Sequence, residues 1–255
     1  MILFSIKKNF RPVSLYLLAA CLTMGAAAGL GWFAGVLPWK ITIPASAEPE
    51  SIVLLLDPGH GGEDGGASGA DDTLEKHLNL EIARIMGDTA DLLGYPAMLT
   101  RTEDTMLYDR YGDLEDYSGK KKTFDLKNRL RLAEEVDGML FCSIHMNKFP
   151  DTSCSGLQVY YSPNVAESQS YASLLQSYAR TFLDAGNDRE IKKATSAIYL
   201  LHRIQTPAVL VECGFLSNPT ECEKLKTPSY QLQLASVLTA ALAEGMESIK
   251  VQSHS

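Results

Sequence analysis

Three short runs of large apolar residues constrain this chain most: Ser51-Ile-Val-Leu-Leu-Leu56, Gly138-Met-Leu-Phe-Cys-Ser-Ile144 and Pro207-Ala-Val-Leu-Val211. Each is too short for a core helix and is bounded by turn residues, the pattern of strands buried on both faces. A polar residue follows each run: His60, His145 and Glu212. If the three strands are parallel, these residues emerge at one carboxyl edge, where open α/β sheets hold their ligands. One edge is then expected to gather two imidazoles and a carboxylate.

Helical and strand-like stretches alternate around these runs. A glycine-rich loop, Gly59 to Gly66, leads to a helix opened by Asp72-Thr-Leu-Glu75, with Leu78, Ile82, Ile85, Met86 and Leu93 at helical spacing and Gly94 and Pro96 ending it. Pro96 to Thr100 reads as a strand, and Leu126, Leu130, Ala133 and Val136 mark a second amphipathic helix. Gly156 to Tyr161 alternates like a strand, Glu167 to Leu183 reads as a helix, and Tyr230 to Met246 forms a terminal one. This succession predicts an α/β domain with a mostly parallel central sheet flanked by helices. Tyr108 to Lys122 is polar, lacks a period, and is expected as a surface loop placed like a lid beside the site.

The chain has 255 residues, and its first fifth does not read as part of that core. Lys7, Lys8 and Arg11 precede an uncharged apolar stretch from Val13 to Trp39, long enough to span a bilayer with its N-terminus in the cytoplasm. Ala45-Ser-Ala47 resembles a signal-peptidase site, and Leu18-Ala-Ala-Cys21 a lipoprotein box. Residues 1–47 are therefore read as a signal-anchor or signal peptide and 48–255 as an exported domain at the outer membrane face or in the wall. A net charge of −8 argues against nucleic acid, and Lys120-Lys-Lys122 reads as a solvated loop. Cys142, Cys154, Cys213 and Cys222 do not form the pattern of a disulfide scaffold, and Cys142 and Cys213 are expected as small buried hydrophobes.

Two histidines after different strands suit a metal ion, which in catalytic zinc sites takes three protein ligands and leaves a position for water. Glu75 is the candidate third ligand, although Asp72-x-x-Glu75 equally fits a capping box that would spend the carboxylate on its own helix. His77 points away from Glu75 on a helix, His202 precedes Pro207 in a polar break, and His254 lies in the tail, so none is expected as a ligand. Glu212, at the end of a buried run, is costly unless paired or functional, and a carboxylate beside a metal-bound water can act as general base and then acid. A Cys213 nucleophile is the rival idea, with no histidine tied to it and burial raising its pKa.

At these residues the chain resembles the zinc-dependent N-acetylmuramoyl-L-alanine amidases. The resemblance rests on Asp57-Pro-Gly-His-Gly-Gly62, Glu75-Lys76 with Asn79-Leu80, Ser143-Ile-His-Met-Asn147 and Val211-Glu-Cys-Gly-Phe-Leu-Ser-Asn-Pro219, in order and spacing. It implies Zn2+ held by His60, Glu75 and His145, Glu212 as the catalytic acid/base, and hydrolysis of the amide joining N-acetylmuramic acid to the L-alanine of peptidoglycan stem peptides. Cys213 departs from the small or aliphatic residue often found there. The compact plan, without an appended wall-binding repeat, looks most like the spore-cortex amidases that prepare muramic-δ-lactam, with targeting left to the N-terminal segment or a protein partner. Another exported zinc hydrolase, such as a peptidase or deacetylase, and a catalytically silent wall-binding module are the alternatives.

Overall fold

The computed structural model describes residues 52–135 and 138–253, with side chains in the last helix described to residue 248. The expected export segment 1–47, Val136 and His254 lie outside the described residues. Six strands form one sheet in the order β2-β1-β3-β6-β4-β5: β1 (Val53–Pro58), β2 (Ala97–Leu99), β3 (Met139–Asn147), β4 (Gln158–Tyr161), β5 (Lys192–Lys193) and β6 (Ala208–Phe215). The helices are α1 (Glu75–Leu92), α2 (Lys121–Glu134), α3 (Glu167–Phe182), α4 (Tyr199–Arg203), α5 (Pro219–Leu225) and α6 (Pro228–Ser253). Among the described residues, no helix is long and apolar enough to cross a membrane.

The three apolar runs become β1, β3 and β6, parallel as expected, and lie next to one another in the sheet. The sheet is nevertheless mixed: β4 runs antiparallel to β6, and β5 follows β4. The connection between β3 and β4 carries no helix, and a parallel return generally needs a crossover of a dozen or more residues. Both sheet faces are covered. On one, Leu54, Leu56, Cys142, Ile144, Val209 and Val211 pack against α1, α3 and α6 through residues such as Ile82, Met86, Leu175 and Leu238. On the other, Leu55, Phe141 and Leu210 meet Leu132 of α2 and Leu200 and Leu201 of α4.

Two of the expected boundaries shift. His145 and Glu212 lie within β3 and β6 rather than past their ends, side by side in register, with the ladder irregular between His145 and Asn147. The Tyr108–Lys122 segment is less loop-like than its polarity suggests. Tyr117 is buried, with ring centroids 5.2 Å from Tyr108 and 5.3 Å from Phe124, and Lys121 already opens α2. Lys121 and Lys122 are likewise paired, with Glu63 and Asp64. Leu93, expected on the apolar stripe, caps α1 and is exposed.

A buried ionic cluster joins α2 to the sheet. Asp57, the fifth residue of β1, shares a sheet face with Ser143, and Arg129 reaches it from α2 at 2.5 Å. Asp57 also accepts bonds from Thr100 and Ser143, both 2.7 Å, and Arg129 Nε donates to Asp125 at 2.8 Å. Burial opposes charge on Asp57, but Arg129 and the two hydroxyls outweigh it and hold the carboxyl below the usual range.

Replacing Arg129 by Met strands Asp57 and Asp125 without their cation and should cost about 3–5 kcal/mol in urea unfolding. The pH dependence should also invert. With its pKa depressed, wild-type Asp57 stabilises the fold above about pH 4 and loses that contribution as the pH falls. In Arg129→Met the unpaired carboxyl has a raised pKa, so the penalty should shrink as the pH is lowered from 8 to 5. A small, pH-independent penalty would contradict this reading of the cluster.

Candidate active site

The loop after β1 carries His60 in a left-handed backbone conformation, φ 62°, which costs about 1–2 kcal/mol for a non-glycine residue. Its carbonyls are held one by one. Arg129 donates to the oxygens of Pro58 (2.9 Å) and His60 (2.7 Å). Arg101 donates to those of Pro58 (3.0 Å) and Gly59 (3.1 Å), and also to Lys76 of α1 (2.8 Å). Asp104 accepts from the Gly62 amide, and Lys76 Nζ donates to the Gly62 oxygen, each at 2.7 Å.

This loop, the first turn of α1 and the end of β3 converge on one cluster. One ligand-type atom from each of His60, Glu75 and His145 lies within 4.8 Å of the others. His60 turns Nε2 towards Glu75 Oε2 at 3.3 Å, while its Nδ1 bonds Asp64 at 2.9 Å. His145 Nδ1 is 2.8 Å from Glu75 Oε1. Two glycines make the approach possible. A Cβ on Gly59 would lie 2.2 Å from the His145 ring, and one on Gly66, at φ 71°, would lie 2.5 Å from Glu75 Oε2 and 2.7 Å from His60.

Glu75 is not the helix cap that its spacing permits. Leu74 occupies the N-cap without a side-chain bond, and Asp72 has φ 64°. The buried Glu75 carboxylate instead accepts from the amides of Ala67 (2.6 Å) and Met146 (3.0 Å) and from Asn79 Nδ2 (3.3 Å). Burial opposes its charge, yet the bonds with His145 and His60 hold it far below the ordinary carboxylate range. His60 is correspondingly raised to about 9: burial lowers it, but Asp64 and Glu75 outweigh burial. Two imidazole nitrogens and an ionised carboxylate form a donor set suited to a borderline divalent metal such as zinc, and unsuited to magnesium or calcium, which prefer oxygen throughout.

Glu212 stands beside this cluster, in register with His145 on β3 and with Gln158 on β4, so all three side chains share one face. Its Oε2 is buried and has no hydrogen-bond partner among the described residues. Burial pushes the carboxyl up to about 7, further raised by Glu75 and opposed by the two histidines. A carboxylate so placed can take up and return a proton near neutral pH. Cys213 is buried on the opposite face, and burial drives its thiol well above the usual range, which removes it as a nucleophile. His77 contacts Asp104 at 3.4 Å, and His202 lies in α4; neither joins the cluster.

The model of the N-acetylmuramoyl-L-alanine amidase family matches residues 54–244. The chain belongs to this family. It is an enzyme that hydrolyses the amide between N-acetylmuramic acid and L-alanine in peptidoglycan. It is 37% identical to the germination-specific N-acetylmuramoyl-L-alanine amidase of Bacillus subtilis, over 78% of this chain and 79% of that one. The sporulation-specific amidase of the same organism is 32% identical over 72% of this chain and 64% of its own length. Among solved structures, the CwlD amidase of Clostridioides difficile, in complex with the GerS lipoprotein, superposes with a TM-score of 0.72 at 32% identity, covering 78% of this chain and all of that one.

The residues that support the amidase site from behind escaped sequence reasoning. Arg129 has a visible signal, since it lies on the face of α2 that carries Leu126 and Ala133, with Asp125 one turn before it. Asn79 leaves none beyond its place in a motif, and Asp64 none beyond its place in the glycine-rich loop.

If Glu75 is a ligand, Glu75→Ala should be purified with little metal, whereas Asp72→Asn should keep wild-type content, measured by elemental analysis of both proteins. Full occupancy in Glu75→Ala would remove it from the ligand set.

Proposed function

We propose that this amidase is zinc-dependent and acts in spore-cortex maturation, with His60, Glu75 and His145 as the metal ligands and Glu212 as the acid/base. The observation that carries the reading is the clustering of the three donor atoms within 4.8 Å, next to the half-buried Glu212, whose buried Oε2 is unpartnered among the described residues. The donor set fits zinc. When bound, zinc would polarise the scissile carbonyl and acidify a water.

The chain's own groups account for the rest. Asp64 holds the His60 ring through Nδ1, leaving Nε2 for coordination, as carboxylate partners of metal-bound histidines do. Glu212 takes a proton from the attacking water as the tetrahedral carbon forms. It then delivers that proton to the L-alanine nitrogen as the C–N bond breaks, so the amine leaves neutral and the carboxylate is restored.

The cortex assignment is supported by the likeness to a germination-specific and a sporulation-specific amidase. The likeness to an amidase solved in complex with a lipoprotein supports a protein partner. We assign export to residues 1–47, with the catalytic domain from residue 48 acting outside the cytoplasmic membrane, anchored there if the segment is uncleaved.

Digestion of purified cortex and vegetative peptidoglycan, read by mass spectrometry, tests the proposal together with Glu212→Gln. The wild type should release L-alanine amino termini and favour cortex. The nearly isosteric variant should retain its metal and lose at least about 10²-fold in turnover, the lower bound for a positioned acid–base group. A Glu212→Gln enzyme with most of its activity would remove Glu212 from the mechanism, and equal cleavage of the two walls would remove the cortex preference.

A further inference from the structure

The loop between α3 and β5 brings a second charged group to the site. Gln158, directly opposite Glu212 on the same sheet face, donates through Nε2 to the Glu190 carbonyl, which seats the loop beside the acid/base. The neighbouring Arg189 lays its guanidinium over the ring of Phe215, 4.5 Å from the centroid, at the end of the strand that carries Glu212. The phenol of Tyr160, two residues from Gln158 on the same face, is pushed up by burial and by the Glu212 charge and pulled down by Arg189. Glu212, Tyr160 and Arg189 therefore share one neighbourhood.

Arg189 is held in place, yet its charge is not neutralised. Its Nε donates to the Ser155 carbonyl at 2.7 Å. Its backbone amide donates to Asn187 Oδ1 at 3.0 Å, and its carbonyl accepts from Arg180 at 3.0 Å. Glu190, the adjacent carboxylate, is turned to Arg180 at 3.2 Å. Among the described residues, no carboxylate forms a salt bridge with Arg189, and its two terminal amino groups have no hydrogen-bond partner there. A half-buried guanidinium on an aromatic face, with its outer fork open, is built to receive a planar anion in two parallel hydrogen bonds.

We propose that Arg189 forms a carboxylate-binding subsite that reads the stem peptide just beyond the scissile amide. The residue after L-alanine is a γ-linked D-glutamate, whose α-carboxylate is either free or amidated, and it is the nearest carboxylate in the substrate to the bond broken at Glu212. The inference rests on the placement of the reacting amide between the His60–Glu75–His145 cluster and Glu212. It assigns to Arg189 a preference for D-glutamate over D-isoglutamine at the second stem position, which the amidase reaction does not itself require. Arg189 makes no bond to the reacting atoms, so its effect should fall on KM.

The experiment compares two soluble muramoyl tripeptides, identical except that the second residue carries a free α-carboxylate or its amide, with the metal-loaded full chain. The wild type should favour the carboxylate at least tenfold in kcat/KM, mainly through KM. Arg189→Gln should reduce that preference by roughly 10–100-fold, the range that one or two charge-assisted hydrogen bonds supply, and Arg189→Lys should retain part of it. Wild-type enzyme that cleaves both substrates equally overturns the subsite without any variant being made, as does Arg189→Gln with an unaltered preference. Cleavage of neither substrate would instead count against the placement of the reacting amide on which the subsite rests.

Discussion

The buried pairing of Asp57 with Arg129 is the interaction on which the rest of the site depends. A carboxylate at the end of a central strand cannot remain charged inside the protein without a partner, and the partner comes from a helix on one face of the sheet. Having reached Asp57, the same guanidinium spends its remaining donors on Asp125 and on the carbonyls of Pro58 and His60. One ion pair thus ties helix to sheet and pins the turn that presents the first histidine. Arg101 repeats the device from the other side and extends it to the first turn of α1. Glu75, His60 and their supporting loop are thereby tied together through Arg129 and Arg101.

This arrangement also explains the use of strain and burial. The left-handed His60 is a conformation an unsupported loop would abandon. Here every carbonyl from Pro58 to Gly62 has a donor, so the strain is distributed over several buried bonds. Glu212 is treated in the opposite way. It receives no hydrogen bond at one oxygen and stays poised to exchange a proton, whereas Glu75, with bonds from two amides and two imidazoles, is locked in the ionised form. Two carboxylates on neighbouring elements acquire different chemistry from their surroundings alone.

Much of this was legible in the sequence, because apolar runs and helical spacings report burial directly. Residues 53–58, 139–147 and 208–215 stand where the runs predicted parallel strands, and His60, His145 and Glu212 gather at their carboxyl ends. The reversal of β4 and β5 was not legible, since alternating residues read identically in either strand direction. The capping-box alternative for Glu75 was equally consistent with spacing, and only the backbone of Asp72 and the amides of Ala67 and Met146 separate the two readings. Arg129 stands on the apolar stripe of α2, which marks it as buried but does not name Asp57 as its partner, and Arg189 lies in a segment without periodicity, so neither partner could be assigned before the chain was folded.

The Asp57–Arg129 clamp should assemble the His60–Glu75–His145 cluster before any metal binds. Crystal structures of the metal-free and zinc-loaded protein test it most directly. The Pro58–Gly62 backbone should superpose in the two, with Arg129 and Arg101 on the same carbonyls, and zinc should lie about 2.0–2.2 Å from His60, Glu75 and His145. A loop rebuilt on metal binding, or zinc held by other residues, would contradict it.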